Sequence, residues 1–259
     1  MQDLSVTLIQ TPLYWEDAVA NRAMLEEKIG SIDKTDVIVL PEMFTTSFTN
    51  NASKLAEHSN LHTFKWMKQV AAQSGACIVG SYAVKVGEQY HNRLLWMQPD
   101  GVYFTYDKRH SFRMSDEHKV YTAGEKQLIV EYKGWKIAPF ICYDLRFPVW
   151  SRNKNNSYDL ALYVANWPAA RAHAWKTLLP ARAIENITYV VGLNRIGTDG
   201  IGLDYSGDSV VHDFKGMPLL ELNNEETIKT IVLSKKVLEE FRKEFPAYLD
   251  ADGFEIIYK

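Results

Sequence analysis

The sequence predicts an α/β fold in which two β-sheets are covered by helices. Three observations carry this. Early in the chain, short β-branched or apolar runs alternate with amphipathic helical stretches. In the middle, two pairs of strand-like runs flank Pro99-Asp100-Gly101 and Lys133-Gly134, residues with the chemistry of β-hairpin turns. After them comes another strand, a long helix and a further strand. Hairpins argue against a purely parallel sheet. Periodicity alone does not separate a four-layer α-β-β-α sandwich from a doubly wound fold.

Leu4–Ile9 reads as the first strand. Residues Trp15 to Ile32 read as a helix, with Ala18, Leu25, Ile29 and Ile32 recurring on one face. Asp36–Leu40 is a buried strand ending at Pro41. Residues 62 to 75 form a second helix with Phe64, Met67 and Ala71 inward, followed by a strand at Ala76–Val84. Arg93–Gln98 pairs with Val102–Tyr106, and Gln127–Tyr132 with Trp135–Ile141. Leu160–Ala165 is a strand, Ala172 to Asn186 a long helix, and Thr188–Asn194 a strand. Ser234 is placed to cap a last helix, with Leu238, Phe241 and Phe245 inward until Pro246 stops it. No linker, low-complexity tract or internal repeat interrupts the chain, so residues 1–259 read as one domain.

Composition narrows the function. The chain is 46% apolar and 24% charged with a formal net charge of −3, as expected of an ordinary soluble protein. The longest cationic cluster, Lys108-Arg109-His110, is too short to be an electrostatic footprint for nucleic acid. No apolar stretch approaches the roughly 18 residues that would span a bilayer. The N-terminus lacks the basic and apolar regions of a signal peptide. The two cysteines and seven histidines follow no metal-ligand spacing. A cytoplasmic protein with free thiols, no metal and no membrane or nucleic-acid partner is expected.

Three segments place a reactive side chain at the end of a buried strand. Glu42 follows Val39-Leu40-Pro41; taken alone it reads as a solvated loop residue, since Glu is mostly exposed. Lys108 follows the second strand of the first hairpin, where a lysine is ordinarily a solvated cap. Cys142 ends the run Ile137-Ala138-Pro139-Phe140-Ile141 and precedes Tyr143-Asp144-Leu145-Arg146, a sharp turn before what reads as a new helix. That is the arrangement of a nucleophile elbow, with the thiol exposed at the turn and backbone N–H groups close by. Cys77, inside an apolar run, reads as a structural core residue.

The segments Pro41-Glu42-Met43-Phe44, Tyr106-Asp107-Lys108-Arg109-His110 and Cys142-Tyr143-Asp144-Leu145-Arg146-Phe147-Pro148, in this order, resemble the Glu–Lys–Cys signature of the nitrilase superfamily of carbon–nitrogen hydrolases. The likeness extends through Tyr90-His91-Asn92, Tyr121-Thr122-Ala123-Gly124, the run from Leu160 to Pro168, and Ala181 to Asn186. Residues 108–124 and 142–153 resemble the bacterial omega-amidases, which hydrolyse the terminal amide of short 2-oxo-dicarboxylic acid monoamides such as 2-oxoglutaramate. The resemblance implies a four-layer α-β-β-α sandwich, a homodimer, no cofactor, and Glu42, Lys108, Glu117 and Cys142 as catalytic residues.

Amide hydrolysis needs a nucleophile, a proton carrier and positive charge for the tetrahedral oxyanion. Cys142, Glu42 and Lys108 can fill these roles, with the Tyr143 N–H as a second oxyanion donor. A carboxylate-bearing substrate also needs a cation. Arg146 on the elbow and Arg113 in the loop after Lys108 are the candidates, each readable as a structural or surface arginine instead. Phe112, Met114, Asn166 and Trp167 are candidates for the pocket wall, though aromatic and Met side chains are more often core. Arg182 and Glu185 read as a structural pair. The same tetrad would serve an N-carbamoyl-amino-acid or aliphatic-amide hydrolase. A catalytically inactive binding member of the fold is the non-enzyme alternative, against which the intact tetrad argues.

Overall fold

The computed structural model describes residues 2–257. In chain order its strands and helices are β1 (Leu4–Gln10), α1 (Ala18–Gly30), β2 (Val37–Val39), α2 (Ala52–Leu55), β3 (Glu57–His58), α3 (His62–Ser74), β4 (Cys77–Val86), β5 (Gln89–Met97), β6 (Tyr103–Asp107), β7 (Val130–Tyr132), β8 (Trp135–Ile141), β9 (Leu160–Ala165), α4 (Ala172–Asn186), β10 (Tyr189–Asn194), β11 (Ile196–Thr198), β12 (Asp204–Ser206), β13 (Val210–His212), β14 (Pro218–Glu221), β15 (Thr227–Leu233) and α5 (Lys235–Glu244). They build two large mixed sheets. The first runs β15-β1-β2-β4-β5-β6, with β3 added beside β4, and the second β14-β13-β10-β9-β8-β7. A separate ribbon, β11-β12, lies outside both.

Strand alternation sorts the core into layers, because successive side chains point to opposite faces. Leu4, Val6 and Leu8 of β1, Val37 and Val39 of β2, and Leu94 and Trp96 of β5 join the core shared with the second sheet. Their neighbours Ile9, Ile38, Leu95 and Met97 face the other way, into a core with Leu25 and Ile29 of α1 and Met67, Val70 and Ala71 of α3. On the second sheet Trp175, Leu179 and Ala183 of α4 are buried against the strands. The result is the four-layer α-β-β-α sandwich. Cys77 lies in the inter-sheet core, fully buried.

Both hairpins form as the turn residues require. Gly101 takes φ +87°, and the Lys133-Gly134 turn has positive φ at both positions, 48° and 79°, the geometry of a two-residue hairpin loop. Helix α1 starts later than its apolar periodicity suggests, at Ala18, because the Asp17 side chain accepts from the Ala20 N–H at 2.9 Å and caps it there. Three expectations are corrected. Ser234 occupies the N-cap of α5 but makes no side-chain capping bond. Phe245 is 56% exposed, because the helix has ended at Glu244 and the chain leaves helical geometry at that residue. No α-helix follows Cys142; the chain makes a five-residue 3-10 turn, Cys142–Arg146.

Topology puts the reactive ends together. Strands β2, β4 and β6 run the same way, since β2 and β4 are parallel and β6 is antiparallel to β5, itself antiparallel to β4. Strands β8, β9 and β10 are mutually parallel. Glu42 and Lys108 therefore follow C-terminal strand ends of the first sheet, and Cys142 and Asn166 those of the second. Clefts at such ends are where open α/β sheets bind ligands. Among the described residues no helix is long and apolar enough to cross a membrane.

Candidate active site

Glu42 sits in the turn after β2, fully buried. The turn is pinned to β4, because the Met43 N–H donates to Ser81 Oγ and the Phe44 N–H to the Ser81 carbonyl, at 2.9 and 3.0 Å. Gly80 permits this approach, since a Cβ there would lie 2.8 Å from both Leu40 and Phe44. Glu42 Oε1 accepts from Asn92 Nδ2 and from Lys108 Nζ, each at 2.8 Å, and Oε2 accepts from the Asn166 backbone N–H at 2.8 Å. A buried carboxylate with these donors is aimed, not solvated.

Lys108 is 3% exposed and donates to both oxygens of Glu117 at 3.0 Å as well as to Glu42. Burial works against its charge, but Glu117 and Glu42 outweigh it and hold the ammonium well above the ordinary lysine range. One cation cannot neutralise two carboxylates. The surplus shows on Glu117, whose pKa is raised by burial, with Glu42 adding to the rise and Lys108 opposing it. Glu117 also accepts the Phe112 N–H at 2.5 Å, which fastens the loop after Lys108. Behind Lys108, the 121–124 segment packs so closely that a Cβ on Gly124 would stand 2.2 Å from the Asp107 carbonyl.

Cys142 has φ +46°, a left-handed conformation that a non-glycine residue adopts only when its surroundings impose it. Asp144 imposes it from within the turn, accepting the Ile141 N–H at 3.1 Å, the Tyr106 hydroxyl at 2.6 Å and the His110 ring Nδ1 at 2.8 Å. From outside, Arg182 donates to the Leu145 carbonyl at 2.6 Å while pairing with Glu185 at 3.1 Å. Cys142 is 9% exposed. Burial first, then the charge of Glu42, push its pKa well up, with Lys108 pulling the other way. At neutral pH it therefore holds its proton.

Glu42, Lys108 and Cys142 line one cleft between the strand ends of the two sheets. The family model for carbon-nitrogen hydrolases matches residues 5–243. This chain belongs to the carbon-nitrogen hydrolase family.

Similar proteins agree. The hydrolase is 47% identical over 258 residues to omega-amidase YafV of Yersinia enterocolitica, across 99% of this chain and 100% of that protein. To the 2-oxoglutaramate amidase of Bacillus subtilis strain 168 it is 34% identical, covering 83% of this chain and 84% of the other. In structure it matches a carbon-nitrogen hydrolase superfamily protein of Xanthomonas campestris, described with an arsenic adduct in its active site, at a TM-score of 0.97 and 45% identity over 99% and 100% of the two chains. The protein is a hydrolase acting on the carbon–nitrogen bonds of amides.

Of the pocket residues expected from sequence, Phe112, Tyr143, Arg146, Asn166 and Trp167 line the cleft of this carbon-nitrogen hydrolase. Glu117 does not line the cleft itself; it holds Lys108 and the Phe112 N–H, both of which belong to residues that do. Arg113 and Met114 do not line it. Both are exposed, Met114 by 81%, on a short 3-10 turn of which Ser115 alone lines the cleft. Arg146 makes no ion pair among the described residues; its guanidinium lies 5.3 Å from the Trp167 ring centre. Sequence reasoning missed Phe48, Arg171, Leu203 and Tyr205, which also line the cleft. They come from loops and a ribbon without a motif of their own. Among the described residues no three His, Cys, Asp or Glu side chains form a metal-holding group.

Proposed function

We propose that this single-domain hydrolase is an omega-amidase that cleaves the terminal amide of a short 2-oxo-dicarboxylic acid monoamide, such as 2-oxoglutaramate or 2-oxosuccinamate, through a cysteine thioester. The observation that carries this is the convergence of Cys142, Glu42 and Lys108 on one cleft that also presents an arginine, Arg146, without an acidic partner among the described residues. The names of its relatives support the substrate class.

In this reading Glu42 takes the thiol proton as Sγ bonds to the amide carbon. Charge moves onto the carbonyl oxygen, where Lys108 Nζ and the Tyr143 N–H hold it. Collapse breaks the carbon–nitrogen bond, and Glu42 returns the proton to the departing ammonia. Water, deprotonated by Glu42, then attacks the thioester; the thiolate leaves, regains a proton, and the dicarboxylic acid is released. Glu117 keeps Lys108 charged and fixed. Ammonia release from 2-oxoglutaramate, an N-carbamoyl amino acid, a neutral short-chain amide and a simple nitrile tests the reading. The expected order puts 2-oxoglutaramate first by kcat/KM; preference for any of the others contradicts it.

A further inference from the structure

The cleft carries a second arginine that the sequence motifs do not mark. Arg171 closes the 3-10 turn Ala169–Arg171 just before α4 and lines the same cleft as Arg146. Its guanidinium lies 4.9 Å from the centre of the Phe112 ring. Trp167 locks the two arginines into one unit, because its ring carries Arg146 and its Nε1–H donates to the Arg171 carbonyl at 2.8 Å. Neither guanidinium makes an ion pair among the described residues. The chain has 32 acidic residues, so partners are not in short supply. Yet the acid in the cleft lining is Glu42, already held by Lys108, Asn92 and Asn166.

We infer that Arg171 and Arg146 together form a clamp for the 2-oxo acid end of the substrate, and that Arg171 makes the enzyme discriminate 2-oxo acids from 2-amino acids. This rests on the omega-amidase reading above. A guanidinium has five N–H donors and no acceptor. The end of a 2-oxo acid presents the complement, three contiguous acceptor oxygens from a carboxylate and the adjoining carbonyl. One arginine can take the carboxylate by its fork, while the second reaches the 2-oxo oxygen. The 2-amino counterpart, glutamine, puts an ammonium where that oxygen stands. It then faces donors with donors and adds a like charge beside two cations. The aromatic faces under both guanidiniums restrict their motion before substrate arrives, which lowers the ordering cost of binding.

The test is kcat/KM for 2-oxoglutaramate, glutamine and pentanamide in the wild type, Arg171→Met, Arg171→Lys and Arg146→Met, with inhibition by 2-oxoglutarate measured alongside. In Arg171→Met the ratio of 2-oxoglutaramate to pentanamide should fall about 10- to 100-fold, the worth of a hydrogen bond to a charged group. The gap between 2-oxoglutaramate and glutamine should narrow, and 2-oxoglutarate should inhibit more weakly. Arg171→Lys should recover part of the ratio through charge without the fork; it also serves if the Met variant fails to fold. Ratios unchanged in the Arg171 variants, with a wild type that prefers 2-oxoglutaramate, overturn the clamp and leave the omega-amidase reading standing. A wild type without preference for 2-oxoglutaramate over pentanamide overturns both.

Discussion

The backbone N–H of Asn166 donates to Glu42 Oε2 at 2.8 Å. A residue at the end of β9 in one sheet thus aims the carboxylate that follows β2 in the other, so the geometry around Glu42 depends on both sheets packing correctly. With Oε1 bound by Lys108 and Asn92, both carboxylate oxygens are engaged. Glu42→Gln keeps the shape but turns an NH2 toward at least one of these donors and removes the proton acceptor. We expect kcat to fall by about 10² or more. A near-normal kcat with only KM raised would make Glu42 a binding residue.

A second prediction concerns alkaline stability. Burial pushes the Cys77 thiol up to about 12, whereas an unfolded thiol titrates near about 8.5. Between these values the folded protein keeps a proton that the unfolded chain has lost, so stability is full below the lower value and declines as pH rises toward the upper. The slope from one such group is ~1.4 kcal/mol per pH unit. Cys142 and Lys108, both shifted upward, act in the same direction. Cys77→Ala should therefore lose less Tm between pH 8 and pH 10 than the wild type, without becoming flat. Equal losses would place the alkaline sensitivity elsewhere.

How much of this was legible in the sequence follows from where each signal lives. Strands β8 and β9 and helix α4 are readable to the residue because their apolar runs or stripes are continuous and buried. Strand β15 pairs with β1 across more than half the chain, and its side chains are largely half-buried or exposed, so no local alternation announces it. The site divides the same way. Glu42 and Lys108 taken singly read as solvated residues; the ordered likeness of their segments and that of Cys142 to a family signature is what made the three legible. Tyr205 and Leu203 reach the cleft from the β11-β12 ribbon and its loop, and Arg171 from a 3-10 turn. Only tertiary folding brings those positions together. Arg113 was a plausible cation by sequence distance from Lys108, but the Asp116 left-handed turn and the anchored Glu117 leave it at the surface.

A third prediction is assembly. The family resemblance implies a homodimer of two sandwiches, and light scattering in dilute solution should find a particle of about twice the 29.7 kDa chain mass. A single species near the chain mass would refute it.

The central claim is that Cys142 carries the acyl group. Its thiol sits on a strained elbow in the same cleft as Glu42 and Lys108, whereas Cys77 is sealed in the inter-sheet core. The direct measurement is peptide-resolved mass spectrometry of enzyme quenched in acid during turnover of 2-oxoglutaramate, run beside ammonia release from Cys142→Ala and Cys77→Ala. The account predicts an acyl adduct on the peptide containing Cys142, no ammonia from Cys142→Ala, and continued turnover by Cys77→Ala. Ammonia release by Cys142→Ala, or an adduct on Cys77 in its place, would contradict it.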